Sequence, residues 1–331
     1  MKVALIGAGA WSSALANVLA DNGHSPVLFA RKQNQVQEIN ESHQNSKYLG
    51  DVLLNPSIQA SISLKETLRG ASMMVFAVPS HAIRSVAQEV APFLEGRPLI
   101  LNVAKGFDPI TFEGFTQTLE ELFPKERIRG VVSLMGPSFA KEVANHQRTA
   151  VCAVGHNQKC NEEVQHLFSN DYFRVYTQDD VIGAEIGAGM KNIIAIASGI
   201  LSGLGYENNS RAALITRGLA EITRFGLAKG AKEKTFLGLT GIGDLFLTCS
   251  SPMSRNFSAG VEIGKADSAE NFLKNNKTTV EGIEACRLVH QEAKRIGVSV
   301  PITDAIYAIL FHRLRPSAVV SLLMNRALKA E

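Results

Sequence analysis

The segment Lys2-Val3-Ala4-Leu5-Ile6-Gly7-Ala8-Gly9-Ala10-Trp11-Ser12-Ser13-Ala14-Leu15 constrains the fold more than any other part of this chain. An apolar strand runs straight into two glycines, and a helix-period apolar segment through Ala14, Leu15, Val18 and Leu19 follows. Strand, tight turn and helix N-terminus in that order form a cradle for a dinucleotide pyrophosphate. Gly7 permits the turn, and Gly9 lets the backbone approach the phosphates. The new helix offers unpaired N–H groups and the positive end of its dipole. Ser12 stands where a third glycine would pack the helix closely on the strand. A tight turn in some other α/β protein is the competing reading of the motif.

Composition narrows the class. With 331 residues the chain is long enough for two domains, each with its own core. A net charge of +3, with no run that interleaves clustered Lys/Arg and aromatics, gives no reason to expect a nucleic-acid partner. Cys152, Cys160, Cys249 and Cys286 show no C-x-x-C spacing, so neither a zinc site nor a disulfide framework is expected, and no metal is assigned. The first residues read as a strand and not as a signal peptide, which makes the cytoplasm the expected compartment.

The first half alternates between strand and helix patterns. Pro26–Ala30, Met73–Val78, Pro98–Val103 and Gly130–Met135 are short apolar runs, and Gln33–Ser42 reads as a polar helix after the second strand. Val151–Val154 and Tyr172–Tyr176 add two further strand candidates. Strands separated by helices imply a doubly wound parallel sheet with its ligand at the strands' carboxyl ends. The loops there carry Pro79-Ser80-His81, Ala104-Lys105-Gly106 and Gly136-Pro137-Ser138-Phe139. After about residue 180 strand-like runs vanish, and helix-period segments cover 181–204, 211–229, 232–239, 279–296 and 303–312. The expected architecture is an α/β fold: a Rossmann-like domain over residues 1–187, then an all-α domain over 188–331.

Between Glu185 and Glu207 the only charged residue is Lys191, inside a segment apolar on nearly every face. Such a helix is central to a core or lies in a membrane. Lys191 and Asn192 at mid-segment and the many Gly and Ser argue against a span. A lysine on a buried helix must find a partner, open onto a cleft or lose its proton, and acid–base work would use it. Snorkelling to the surface is the bland alternative. Gly241-Ile242-Gly243-Asp244 places a carboxylate after a glycine turn, with Thr248 four residues on; Asp244 reads equally well as a helix N-cap. Ser254-Arg255-Asn256 offers a hydroxyl, a guanidinium and an amide in a short loop, a set suited to phosphate, although a solvated Arg is the commoner case.

The second strand bears on nicotinamide preference. An NAD-specific site places an acid about 20 positions past the glycines to grip the ribose hydroxyls. Here the strand ends in Phe29-Ala30-Arg31-Lys32, two bases and no acid, so NADP(H) should bind at least as well as NAD(H).

With these positions read, the sequence resembles the bacterial-type NAD(P)-dependent sn-glycerol-3-phosphate dehydrogenases over essentially the whole chain. The agreeing motifs include Gly7-Ala8-Gly9-Ala10-Trp11, Val78-Pro79-Ser80, Lys105-Gly106, Gly136-Pro137-Ser138-Phe139-Ala140 and Lys191-Asn192. Ala213 to Glu221, Gly241-Ile242-Gly243-Asp244-Leu245, Ser254-Arg255-Asn256, Val280-Glu281-Gly282 and Pro301-Ile302-Thr303 complete them, in the family's order. The resemblance implies an active site between the two domains and reversible reduction of dihydroxyacetone phosphate to glycerol 3-phosphate. It gives Lys191 the proton at the C2 oxygen, counts Asp244 among the catalytic residues, and has Lys105 contact both substrate and cofactor. Gly136, Ser138, Asn192, Asp244, Thr248, Ser254, Arg255 and Asn256 would line the substrate pocket, with Arg255 and Asn256 on the phosphate. Gly7, Gly9, Ala10, Trp11, Ser12, Arg31, Lys105, Ala140, Arg255, Thr279 and Glu281 would meet the cofactor. A role in glycerophospholipid synthesis follows from the resemblance alone.

Three positions depart from the family pattern: Ser12 for a third glycine, Ala10 for a hydroxyl residue, and Phe257-Ser258-Ala259 where basic residues usually follow Asn256. They bear on cofactor affinity more than on reaction type. Two other readings stay open at this stage. One is another two-domain dehydrogenase acting on hydroxy acids or sugar acids, which the phosphate-suited Ser254-Arg255-Asn256 disfavours. The other is a non-catalytic dinucleotide-binding sensor, which would have no use for Lys191. A homodimer is plausible from the apolar content of the helical half, without an identifiable face.

Overall fold

The computed structural model describes residues 1–325. Contacts divide the chain into two compact units, Met1–Val181 and the remainder from Ile182 onward. The contact pattern thus changes at Val181, where the strand-like runs of the sequence end, and the expected boundary at residue 187 lies within the first two turns of the same long helix.

In the first unit eight strands form one sheet: β1 (Lys2–Ile6), β2 (Ser25–Phe29), β3 (Gln59–Ser61), β4 (Met73–Phe76), β5 (Leu99–Asn102), β6 (Gly130–Met135), β7 (Thr149–Val154) and β8 (Phe173–Gln178). Their order is β3-β2-β1-β4-β5-β6-β7-β8. Side chains alternate between two cores, as the period of two requires. Val3, Leu5, Met73, Val75, Leu99 and Leu101 pack with α1 (Ala10–Asp21) on one face. Ala4, Ile6, Met74, Phe76 and Ile100 pack with α2 (Ile83–Val90) and α3 (Phe115–Leu122) on the other. A fourth helix, α4 (Gln158–Phe168), joins the first face through Val164 and Phe168. This is the expected doubly wound sheet with one correction: β7 runs antiparallel to β6, and β8 then runs parallel to β7. The chain leaves β6 through the short helix Ala140–Ala144 and turns back beside it. The edge strand β3 has three residues, two of them polar, and therefore carries no hydrophobic run to reveal it. The polar helix also differs, being α-helical over Gln33–Gln37 and a wider π-turn over Glu38–Ser42.

β1 lies between β2 and β4, so the strand order reverses there and the loops after β1 and β4 flank a crevice. Gly7 sits in it at φ +112°, and a Cβ at this position would lie 2.5 Å from the Ala77 carbonyl oxygen. Only glycine lets the two loops meet this closely.

The second unit is helical: α5 (Val181–Gly203), α6 (Asn208–Ala228), α7 (Asp244–Ser250), α8 (Arg255–Ala266), α9 (Glu281–Ile296), α10 (Pro301–Phe311) and α11 (Pro316–Met324), with shorter turns between. α5 has the length and apolarity to cross a membrane, but 83% of that stretch is buried inside the fold, so it is the unit's central core helix. α8 crosses it backbone to backbone. Added Cβ atoms would lie 2.0 Å from Phe257 O at Gly199 and 2.1 Å from Ile196 O at Gly260. Gly203 and Gly264 repeat the approach one turn on. Small residues at a crossing let helices approach more closely than the usual 8–10 Å. Two expectations change here. Arg255 and Asn256 open a twelve-residue helix and are not in a loop. The helix read over 232–239 shrinks to Glu233–Phe236, because the chain then winds into the π-turn Leu239–Gly243.

Candidate active site

In the first unit the candidate residues gather at the carboxyl ends of the strands. The turn after β1 is shaped so that its carbonyls are occupied. Ser12, fully buried, donates its hydroxyl to Gly7 O at 2.6 Å, so the residue in the third-glycine place becomes part of the turn. The Ala8 carbonyl accepts from Gln35 Nε2 at 2.6 Å and from Asn45 Nδ2 at 3.0 Å. Asn45 is fully buried, also donates to Ser13 Oγ at 2.8 Å, and accepts from Gln35 at 3.1 Å. Neither amide was singled out in the sequence. Both lie in a polar stretch 26 or more residues past Gly9, where no spacing marks them.

Gly9 caps α1 without a side-chain hydrogen bond, and space for a Cβ at Gly9 is open. Carbonyls tied back and first-turn N–H groups uncapped by any side chain are the features a pyrophosphate cradle needs, so these residues fit a dinucleotide. Ala10 and Trp11 begin the helix half-buried, the Trp11 ring 6.5 Å from that of Phe173. Arg31 is exposed just past β2, where a 2′-phosphate would sit.

Lys105 follows β5 and donates to Gly136 O at 2.9 Å; Ser138 Oγ donates to the same carbonyl at 3.2 Å. The loop bearing Lys105 is anchored by the buried Asp108, which accepts from Ile110 N, Thr111 N and Arg84 Nε at 2.8, 3.1 and 2.9 Å. Burial alone would raise the Asp108 carboxyl, but the Arg84 and backbone hydrogen bonds outweigh it and hold it below the usual carboxylate range. Ala140 is the first residue of the short helix that follows.

In the second unit two networks form. Lys191 takes the partner that a buried lysine requires: its Nζ lies 2.5 Å from Asp244 Oδ1 and donates to Thr248 Oγ1 at 2.9 Å. The Lys191 and Asp244 side chains are 6% and 1% exposed, so the lysine does not snorkel. Asp244 is not the N-cap. Gly243 holds that position, and the carboxylate is turned toward Lys191. Thr248, one turn on, donates to the Asp244 carbonyl at 2.6 Å, which orients its oxygen lone pairs to Lys191. An opposite charge at this distance favours the ammonium form against desolvation.

The second network joins three helices. Asn256 donates to Asn192 Oδ1 at 2.9 Å and accepts from Gly282 N at 2.9 Å, fixing α8 to α5 and α9 beside Lys191. Ser254 caps α8 by accepting from Phe257 N at 3.2 Å, and Arg255 projects exposed from the first turn. Thr279 and Glu281 stand half-buried at the start of α9. Lys191, Asp244 and Thr248 are therefore brought together, as are Asn192, Ser254, Arg255 and Asn256.

An ammonium held on an apolar helix by a carboxylate, near a helix N-terminus bearing an arginine, suits proton transfer to a phosphorylated small molecule. The comparisons with known proteins agree. Residues 2–161 match the family profile described as NAD-dependent glycerol-3-phosphate dehydrogenase N-terminus, and residues 180–321 match its C-terminus. Glycerol-3-phosphate dehydrogenase (NAD(P)+) of Lacticaseibacillus paracasei is 45% identical over all of this chain and 96% of its own length. The Listeria innocua enzyme of the same name is 46% identical, covering all of this chain and 98% of its own. The crystal structure of glycerol-3-phosphate dehydrogenase from Coxiella burnetii superposes with a TM-score of 0.90 at 33% identity, over 98% of this chain and 99% of that one. The chain therefore belongs to the NAD(P)-dependent glycerol-3-phosphate dehydrogenase family, oxidoreductases that act on a CH–OH group.

Proposed function

We propose that Lys191 is the group that moves the proton at the C2 oxygen when dihydroxyacetone phosphate and glycerol 3-phosphate interconvert, and that the two units divide the remaining work. The single observation that carries this reading is the buried Lys191–Asp244–Thr248 cluster. When bound, NAD(P)H supplies the two-electron reducing equivalent to the ketone carbon. In the reducing direction negative charge grows on the carbonyl oxygen. The Lys191 ammonium stabilises that charge and then gives its proton to the oxygen, and Asp244 keeps the lysine charged until it does. In the oxidising direction the lysine must accept the hydroxyl proton, so the two directions have opposite pH dependence.

Asn192, Asp244, Thr248, Ser254, Arg255 and Asn256 are assigned to the substrate, with Arg255 and the first turn of α8 on its phosphate. A three-carbon ketone offers few other handles, so phosphate binding supplies much of the orientation. Gly7, Gly9, Ala10, Trp11, Ser12, Arg31, Ala140, Thr279 and Glu281 would hold the cofactor, and Lys105, Gly136 and Ser138 the substrate side of the first unit. Lys105 would touch both ligands. We further assign the chain to the cytoplasm, to the supply of glycerol 3-phosphate for phospholipid head groups, and to a homodimer. The domain boundary is taken within the first two turns of α5, at residue 187. The test is oxidation of NADPH and of NADH by dihydroxyacetone phosphate, followed by nicotinamide absorbance. Turnover with that ketone and none with hydroxypyruvate supports the assignment; the reverse preference overturns it.

A further inference from the structure

Arg211 lies in the first turn of α6, and its guanidinium carbon is 5.4 Å from the centroid of the Phe257 ring. Phe257 belongs to the first turn of α8, the turn opened by Ser254, Arg255 and Asn256. Among the described residues Arg211 Nε is closed off from solvent and has no hydrogen-bond partner. Two cations act on the buried Cys249 thiol next to Thr248: burial pushes that thiol up, while Lys191 and Arg211 pull it down. Arg211 therefore shares the neighbourhood of the Lys191–Asp244 pair. Lys191 has a carboxylate, whereas Arg211 has an aromatic face and an unmet donor.

A guanidinium stacked on a ring keeps its in-plane N–H donors directed outward, in a fork that matches phosphate oxygens. Nε is covered and Arg211 as a whole is half-buried, so the donors left to meet a ligand are those of its two terminal nitrogens. We propose that Arg211 is a second phosphate-binding residue for the phosphorylated substrate, working with Arg255 at the first turn of α8. Phe257 is then the platform that aims it. The proposal rests on the reading that places the substrate phosphate at Ser254–Asn256.

The test compares Arg211→Gln, Arg211→Lys and Arg255→Ala in the full-length protein with NADPH. Two ketones are used, dihydroxyacetone phosphate and its unphosphorylated counterpart dihydroxyacetone, and inorganic phosphate serves as a competitive inhibitor. Arg211→Gln should lower kcat/KM for the phosphorylated ketone by about tenfold to a hundredfold and weaken phosphate inhibition in step. It should leave dihydroxyacetone turnover within about twofold, because that substrate never engages the residue. Arg211→Lys keeps the charge but not the fork and should fall between wild type and Arg211→Gln, a graded response available even if the Gln variant folds poorly. Equal losses with both ketones, or no loss with either, overturn the role of Arg211. If the loss in Arg255→Ala falls on the phosphorylated ketone and spares dihydroxyacetone in that case, the phosphate reading itself stands. If Arg255→Ala loses activity equally with both ketones, or with neither, the phosphate lies elsewhere and both assignments fall.

Discussion

Replacing Asp244 by asparagine keeps the shape of the side chain and removes the only charge on it. The consequence follows from burial. Lys191 and Asp244 are 6% and 1% exposed, so the ammonium left behind cannot recover its hydration. Removing one partner of a buried pair typically costs about 3–5 kcal/mol. The lysine has one escape, loss of its proton, and from an ordinary lysine pKa of about 10.4 that costs about 4.6 kcal/mol at pH 7. Either route leaves Asp244→Asn less stable than wild type by about 3–5 kcal/mol at neutral pH. The sign of the pH dependence is also set. In the variant the folded state disfavours the charged lysine while the unfolded chain retains it, so the unfolded chain binds more protons. Stability then rises with pH by up to about 1.4 kcal/mol per unit while the folded lysine is neutral and the unfolded one charged, levelling off as the pH reaches the unfolded lysine value. Urea unfolding of wild type and variant between about pH 6 and about pH 9 measures both quantities. A paired replacement, Lys191→Met with Asp244→Leu, should recover much of the loss, since an apolar pair of similar volume needs no charge compensation. A stability change below about 1 kcal/mol with no added pH slope would refute the reasoning, because it would mean the ammonium does not depend on the carboxylate.

Three further outcomes follow from the same structure. In Gly260→Ala the new Cβ would lie 2.1 Å from Ile196 O, well inside ordinary contact, so α8 must move off α5. Stability should drop by about 1–3 kcal/mol in urea unfolding, and KM for dihydroxyacetone phosphate should rise as Asn256 is drawn from Asn192. Glu292, hydrogen-bonded to Arg295 and to Lys229, has its carboxyl lowered to about 2, chiefly by Arg295. The stability it contributes is present above the unfolded carboxyl value and is lost as pH falls toward about 2, so the deficit of Glu292→Gln at neutral pH should close in acid unfolding titrations. Arg31→Ala should weaken NADPH binding by about tenfold or more and leave NADH nearly unchanged, as read by fluorescence titration of both cofactors.

The parts of this molecule legible in its sequence are those that obey local rules. β1, the glycine turn and α1 are readable because one strand, one turn and one helix pattern follow in succession. Lys191 stands out because a single charge on an apolar helix has few physical explanations. What was hidden depends on contacts distant in sequence. The antiparallel β7 has the same composition whichever way it runs. Asn45 and Gln35 tie back the Ala8 carbonyl across 37 and 27 residues. The α5–α8 crossing is a set of scattered glycines until the two helices meet, whereas the Ser254 cap that starts α8 at Arg255 is a local signal that the loop reading passes over. Asp244 reads in the sequence as either a cap or a cleft residue, and the structure makes Gly243 the cap and turns the carboxylate toward Lys191.

The central claim is that the Lys191 amine handles the proton of the reaction. Single-turnover reduction of dihydroxyacetone phosphate by Lys191→Ala, with fold checked by circular dichroism and NADPH binding by fluorescence, tests it directly. The account predicts intact fold and cofactor affinity with turnover down by about a hundredfold or more, partly restored by added small amines. Wild-type turnover in a folded, cofactor-binding Lys191→Ala protein would contradict it.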